Sequence, residues 1–458
     1  MYRQKDIVDI DKNINKIKDE AIYEYKKQNE PTLDESSQVC KVIIDFIKRK
    51  KRVVYGGYAQ NLLIINKNKK DGFYKEINGA FYNWPDLADI EFYTPYPIDD
   101  LIELTEELYS HKFNNIESIE GMHNGTYKIY VNFLNYCDIS YIPTHIYNTM
   151  PIITAHDIKC THPHMMMVDA FRIFTDPLTS FWRLDKTILR FQKIFKYYPI
   201  DESNNNLKIK LSENKDINDF ICQKIIHNSK LIVVGFHGFD YYVKKSIPKN
   251  ALNNYPYYEL ISIDLEEDAM DIYKILKDKF KTKITVKEFS PFFTFMDRRV
   301  EFYHENKLCL RLFGSNKRCI VYNYSDIKTT TFGTNNLVMM YLYFDYYLAY
   351  INKDSINTKL YLNLIGKFYN AKNKFLNSNN KSIVDESPFK DFTCKCYGTQ
   401  IDPIRLSKLE ELNKRKQNKM VKYRYNPTGK AGATPDYKFD NISGNEILIK
   451  NHLIIKNH

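Results

Sequence analysis

Five residues of this 458-residue chain have the types and the order to do chemistry: Gly56, Gly57, Asp89, Glu91 and Asp138. Side chains alternate across a strand. In the segment Asp89 to Tyr93 the two acids therefore share one face, and Ile90 and Phe92 share the other. Two carboxylates about 4 Å apart repel by roughly 4 kcal/mol at an effective dielectric near 20, a cost that a cation offsets. Magnesium binds one or two carboxylates together with phosphate oxygens and water, so the set points to metal-dependent nucleotidyl transfer. Taken singly, acids two apart are the wet face of a strand, and adjacent glycines are a turn. The ordered combination carries the reading.

The elements that must position these residues are legible. Val53-Val54-Tyr55 reads as a short strand entering the glycine turn. The acids precede an amphipathic helix with Leu101, Leu104, Thr105 and Leu108 at helical spacing. A hairpin follows, Tyr127 to Val131 and Tyr136 to Tyr141, whose second strand brings Asp138. Upstream, residues 5–29 are helix-prone, and Thr32-x-x-Glu35 offers a capping box for a helix with Val39, Val42, Ile43, Phe46 and Ile47 on one face. The polar, lysine-rich stretch 66–83 reads as an insertion. Two helices are expected at about 165–174 and from past Pro177 to about 197. The second carries Arg183, Lys186, Arg190 and Lys193 in one stripe, which could grip a triphosphate or an RNA backbone, or be a solvated face.

Residues 230–325 resemble a worn copy of 50–142. Leu231 to Gly235 restates the strand-to-glycine entry, and Arg299 to Tyr303 with Leu308 to Leu312 restates the closing hairpin. Arg311 stands where Asp138 would. Asp264-Leu265-Glu266 repeats an acid-x-acid pattern but sits at a helix start, where acids are favoured by the helix dipole. Helices follow, one with Leu337, Met340, Tyr341, Phe344 and Leu348 on a face. A basic segment runs from Lys408 to Arg424, and 426–432 reads as a loop or mobile tail.

Net charge is +11, which favours a polyanionic partner, and 37 Tyr beside many lysines suits base stacking, although a drift in composition gives the same excess. Eight cysteines form no regular framework, so a reduced intracellular compartment is expected. Cys160, His162 and His164 make a weak metal candidate. The first ten residues lack the apolar core of a secretory signal, and the apolar run at 337–344 is too short to span a bilayer.

The sequence resembles a known family in four segments: Tyr-Gly-Gly-Tyr-Ala-Gln-Asn from Tyr55, Asp-Ile-Glu-Phe-Tyr-Thr-Pro from Asp89, Cys-Asp-Ile-Ser from Cys137, and Phe-Arg-Ile-Phe-Thr-Asp-Pro-x-x-Ser-x-x-Arg from Phe171. These are similar to the viral poly(A) polymerase catalytic subunits of large DNA viruses, closest to the giant amoeba-virus type and more distantly to the poxvirus type, within the DNA polymerase β-like nucleotidyltransferase superfamily. The resemblance is strong over 50–200 and weaker over 205–330.

It implies an α+β fold: a nucleotidyltransferase sheet with flanking helices, a second degenerate nucleotidyltransferase-like α+β domain, and a helical C-terminal region. The expected divisions are 1–50 for N-terminal helices, 51–200 for the catalytic domain, 205–330 for the degenerate domain and 331–458 for the C-terminal helices and tail. The implied activity is template-independent polyadenylation of mRNA 3′ ends from ATP, with Asp89, Glu91 and Asp138 as catalytic residues holding two Mg2+ or Mn2+ ions. Gly56, Gly57, Tyr58, Arg183 and Lys186 would bind nucleotide. RNA and ATP are the expected partners, with no membrane and with a second copy of the chain as a candidate, in the virion and infected cytoplasm. The gap from Gly57 to Asp89 is longer than the family's usual one. Alternatives are another terminal transferase adding UMP or CMP, or a non-catalytic RNA-binding processivity subunit.

Overall fold

The computed structural model describes residues 2–122, 125–200, 215–228, 230–252, 255–289, 298–315, 318–324, 330–399 and 402–428. Two compact units emerge, one from residues 2–163 with 407–428, the other from 164–406. The tail segment 429–432 read as a loop lies outside the described residues.

In the first unit, helix α1 (Gln4–Gln28) precedes α2 (Leu33–Lys50), whose N-terminus is closed by the Thr32 hydroxyl accepting from Glu35 N–H at 3.1 Å. The expected face of α2 is buried: Val39, Ile43, Phe46 and Ile47 are at most 1 % exposed. The sheet contains β1 (Val53–Val54), β2 (Ile90–Thr94), β3 (Glu117–Glu120), β4 (Thr126–Val131), β5 (Leu134–Tyr141), β6 (Ile152–Ala155) and β7 (Ile158–Thr161). Its order is β3-β4-β5-β2-β1-β7-β6, with Arg424–Tyr425 added outside β3. Helices α3 (Gly56–Lys67) and α4 (Pro97–Ser110) complete the unit, and Leu101, Leu104, Thr105 and Leu108 of α4 are buried as their spacing predicts.

The lysine-rich stretch after α3 is more ordered than its composition suggests. It folds as a three-stranded antiparallel sheet, Lys75–Ile77, Ala80–Asn83 and Asp86–Leu87, anchored by buried Phe81 and Tyr82. The returning C-terminal segment is anchored as firmly. Glu120 N–H donates to the Tyr423 carbonyl at 2.8 Å, and the buried Tyr423 ring meets Tyr127 edge-on.

The second unit begins with α5 (Pro163–Phe174) and α6 (Leu184–Tyr197), which group here by contact. Its sheet is built from β8 (Ile232–Val234), β9 (Tyr258–Ser262), β10 (Ile284–Phe289), β11 (Arg299–His304), β12 (Lys307–Gly314), β13 (Ile320–Tyr324) and β14 (Thr331–Gly333). The order β10-β11-β12-β9-β8-β14-β13 repeats the first sheet strand for strand, and the parallel and antiparallel pairings repeat with it. Helix α7 (Gly235–Lys244) follows β8 as α3 follows β1, and α8 (Leu265–Phe280) follows β9 as α4 follows β2. Helices α9 (Asn335–Ile351) and α10 (Ser355–Ser378) close the unit. Nearly every residue of α9 is buried, which accounts for its all-round apolar character. The worn repeat inferred from sequence is a duplicated topology.

One expectation is corrected. Cys319 and Cys396, which are 77 residues apart, form a disulfide that ties β13 to the edge strand Cys396–Tyr397. The thiols are therefore not all reduced. Neighbouring Cys394 is a free thiol, like the buried Cys40, Cys137, Cys160 and Cys309. No helix among the described residues is long and apolar enough to cross a membrane.

Candidate active site

The three acids of the sequence motif come to one face of the first sheet. Strands β2 and β5 run parallel with Glu91 opposite Asp138, and Asp89 lies two residues before Glu91 at the mouth of β2. Residues paired directly across neighbouring strands point the same way, so alternation fixes the shared face. Asp89 is exposed, whereas Glu91 and Asp138 are half-buried.

A β-bulge supplies a fourth member. The β4–β5 register shifts between Ile129 and Tyr130, so Tyr136 and Cys137 both turn into the core and Asn135 swings to the acid face. Its Nδ2 lies 3.0 Å from Asp138 Oδ1 and 3.5 Å from Asp89 Oδ1. Tyr136, on the other side, bonds Ser36 of α2.

The glycine turn grips Glu91. Gly56 has φ +66, in the left-handed region, and a Cβ there would overlap the Glu91 carboxylate. Gly57 N–H donates to Glu91 Oε2 at 3.1 Å, so the N-terminus of α3 faces a carboxylate, as the helix dipole favours. Tyr58 points elsewhere. It is 6 % exposed and packs edge-on to Phe81, and its hydroxyl pKa is raised by burial. The nucleotide-contact expectation for Tyr58 thus meets a core residue, because the helix turns its side chain inward directly after the glycines.

Sequence reasoning missed Lys128. It lies opposite Asp138 on β4, and its Nζ contacts Oδ1 at 2.9 Å and Oδ2 at 2.8 Å. Burial works against the ammonium, but the charge and hydrogen bond of Asp138, helped by Asp89, raise its pKa. Beyond the acids, Tyr55 stacks on Tyr93 with centroids 3.9 Å apart and shares a 2.7 Å hydrogen bond with Ser140. Burial, with Glu91 nearby, keeps that phenol protonated.

The donor set is oxygen only, which suits a hard divalent ion in kind. As the side chains stand, no group of three or more His, Cys, Asp or Glu among the described residues is gathered tightly enough to hold one, and Lys128 takes Asp138. The Cys160, His162 and His164 candidate finds no support either. His164 Nε2 instead meets the Tyr198 carbonyl at 2.8 Å.

Arg183 and Lys186 lie in the second unit, exposed, before and within α6. Phe181 and Trp182, 66 % and 54 % exposed, stand beside them. In the second unit Asp264 sits at the N-cap of α8, as its place before the helix predicts, and the counterpart of Glu91 is Glu259 on β9. Gly235, with φ +57, leaves room for the Glu259 carboxylate as Gly56 does for Glu91. Arg311 faces Glu259 across β9 and β12, and Tyr257 holds the place of Asp89. Arg311 Nη1 bonds Glu259 at 2.9 Å and Asp345 at 2.6 Å, and its Nε bonds Glu301 at 2.8 Å, all buried. Burial and the nearby Asp345 raise the Glu259 pKa. Three acids balance Arg311 and Arg299 when one of Glu259 and Asp345 keeps its proton.

Known proteins match this chain over most of its length. A family model described as "Poly(A) polymerase catalytic subunit" matches residues 41–180, and one described as "APMV, Putative poly(A) polymerase, catalytic subunit, C-terminal" matches 192–457. The Acanthamoeba polyphaga mimivirus protein named "Putative poly(A) polymerase catalytic subunit" is 29 % identical over 93 % of this chain and 80 % of its own. An African swine fever virus protein of the same name is 27 % identical over 38 % of this chain and 36 % of its own. The crystal structure of the Megavirus polyadenylate synthase superposes with a TM-score of 0.84 at 28 % identity, over 93 % of this chain and 86 % of that one.

Proposed function

Because the chain belongs to the poly(A) polymerase catalytic-subunit family of large DNA viruses, we propose that its polyadenylating site is the Asp89, Glu91 and Asp138 face of the first sheet. One observation carries the assignment: Glu91 and Asp138 stand in register on adjacent parallel strands, with Asp89 two residues along, beside the glycine turn. The three carboxylates would hold Mg2+ or Mn2+ in a two-metal arrangement. When bound, such ions polarise the α-phosphoryl group and lower the pKa of the attacking hydroxyl. The chain itself orients the reactants. Asn135 ties Asp89 to Asp138, and Gly56 and Gly57 serve the nucleotide by seating Glu91 at the N-terminus of α3.

RNA meets the second unit, in this reading, along Trp182, Arg183, Lys186 and Leu189. These residues present a base-stacking aromatic between cationic and apolar neighbours on an exposed face. A second copy of the chain would pair through α1. Its Ile7, Ile10, Ile14, Ile17 and Ala21 recur at alternating three- and four-residue steps, with no residue buried. Family membership supports work on mRNA in the virion and infected cytoplasm.

The deciding experiment incubates the purified chain with ATP, magnesium and a labelled oligo(A) primer. A ladder that disappears in Asp138→Ala is expected. No ladder from the wild-type chain would favour the RNA-binding subunit reading, and a ladder of equal length with UTP or CTP would favour another terminal transferase.

A further inference from the structure

We propose that Lys128 is a tethered counter-cation: it fills the acid cluster before a divalent ion arrives and lets go of Asp138 when one enters. The proposal rests on the metal reading of Asp89, Glu91 and Asp138 given above. The ammonium lies within 2.9 Å of both Asp138 oxygens. It takes up the carboxylate that a shared ion would need, and the acids do not stand gathered for a metal while it does so. Lys128 is thereby a positioning residue for the site.

The duplicated unit supplies an independent observation. At the same strand positions, β11 and β12 carry Glu301 opposite Arg311, the same cross-strand ion pair with its polarity reversed. There the cation has become permanent. Arg311 is 7 % exposed and its guanidinium is fixed by Glu259, Glu301 and Asp345. A planar guanidinium with several bonds is a structural part. Lys128 differs in every respect that matters for release. Its side chain is 29 % exposed, it is a point charge on a flexible stem, and both its hydrogen bonds go to the one carboxylate of Asp138. Both units therefore place a side-chain cation at the centre of the acid face, and only the first can give it up.

Titration of the nucleotide-free chain with Mn2+, followed by the electron paramagnetic resonance of free Mn2+, tests this without turnover. Lys128→Met removes the competing charge and keeps the stem; its Mn2+ affinity should rise roughly tenfold. Lys128→Arg should bind no more tightly than wild type. Asp138→Asn should bind more weakly. Equal or weaker binding by Lys128→Met, with Asp138→Asn still impaired, overturns the role of Lys128. Unchanged binding by Asp138→Asn overturns the metal reading beneath it.

A measurement on the wild-type chain covers the case where a variant does not fold. Mass spectrometry would follow labelling of Lys128 by a small amine-reactive acylating reagent. Added Mn2+ should speed labelling several-fold as the amine leaves Asp138; unchanged or slower labelling contradicts the proposal.

Discussion

The carboxylate of Glu91 occupies the space where a side chain on Gly56 would begin. Gly56→Ala therefore does two things: it strains a left-handed residue by about 1–2 kcal/mol, and it pushes Glu91 away from Gly57 N–H. Displacement of a reacting group by about 1 Å can cost on the order of 100-fold in rate. We expect AMP incorporation to fall at least that far while the protein remains folded, checked by primer extension beside a thermal melt.

Asp89→Ala and Asp138→Ala should each abolish AMP incorporation and leave RNA affinity within about twofold of wild type, because neither residue lies on the basic face proposed for RNA. Asp264→Ala, at a helix cap, should leave turnover unchanged. Primer extension with a parallel filter-binding assay separates these outcomes.

Arg311 is the keystone of the second unit. Removing one partner of a buried ion cluster typically costs about 3–5 kcal/mol, because the remaining charges stay desolvated. Arg311→Met leaves Glu259, Glu301 and Asp345 without their shared guanidinium. Chemical denaturation should show a loss of that order, larger than the loss for Lys128→Met in the half-exposed pair of the first unit.

Glu301 sets an acid limit. Burial opposes its charge, but Arg311 and Arg299 outweigh burial and hold its pKa at about 2, below the ordinary 4.5. A depressed carboxylate stabilises the fold above its unfolded pKa, and that contribution is lost as pH falls through the folded value. The shift corresponds to roughly 3 kcal/mol. Wild type should exceed Glu301→Gln in stability near neutral pH, with the gap closing between about pH 4.5 and 2, as measured by denaturant titration at stepped pH.

Trp182→Ala should weaken binding of single-stranded oligo(A) by about tenfold, in keeping with stacking worth ~1–3 kcal/mol per base. Arg183→Gln with Lys186→Gln should instead flatten the salt dependence, by about 0.7 in the log–log slope for each lost phosphate contact. Fluorescence anisotropy across a salt series distinguishes the two effects.

The first sheet was legible in part because alternation is a local rule: spacing alone puts Asp89 and Glu91 on one face, whereas Asp138 joins them through the pairing of β2 with β5. Lys128 and Asn135 could not be placed from spacing. Their positions depend on hairpin register and on a bulge that shifts parity, and neither leaves a mark in a lysine-rich sequence. In the second unit, Asp264-Leu265-Glu266 drew attention to a helix cap, while Glu259 stood unmarked because its neighbour two residues earlier is Tyr257. The disulfide joins cysteines too far apart in sequence to be matched by eye. The small sheet at 75–87 is held by Phe81 and Tyr82, buried within a stretch whose composition reads as loop.

The segment around Tyr423 to Tyr425 completes the edge of the first sheet from more than 250 residues downstream of its last strand. During synthesis, the first unit would wait with an open border until this returning segment has left the ribosome. A fragment cut after the seventh strand would expose that border to stray partners, so attempts to produce the first unit alone should carry the returning segment with them.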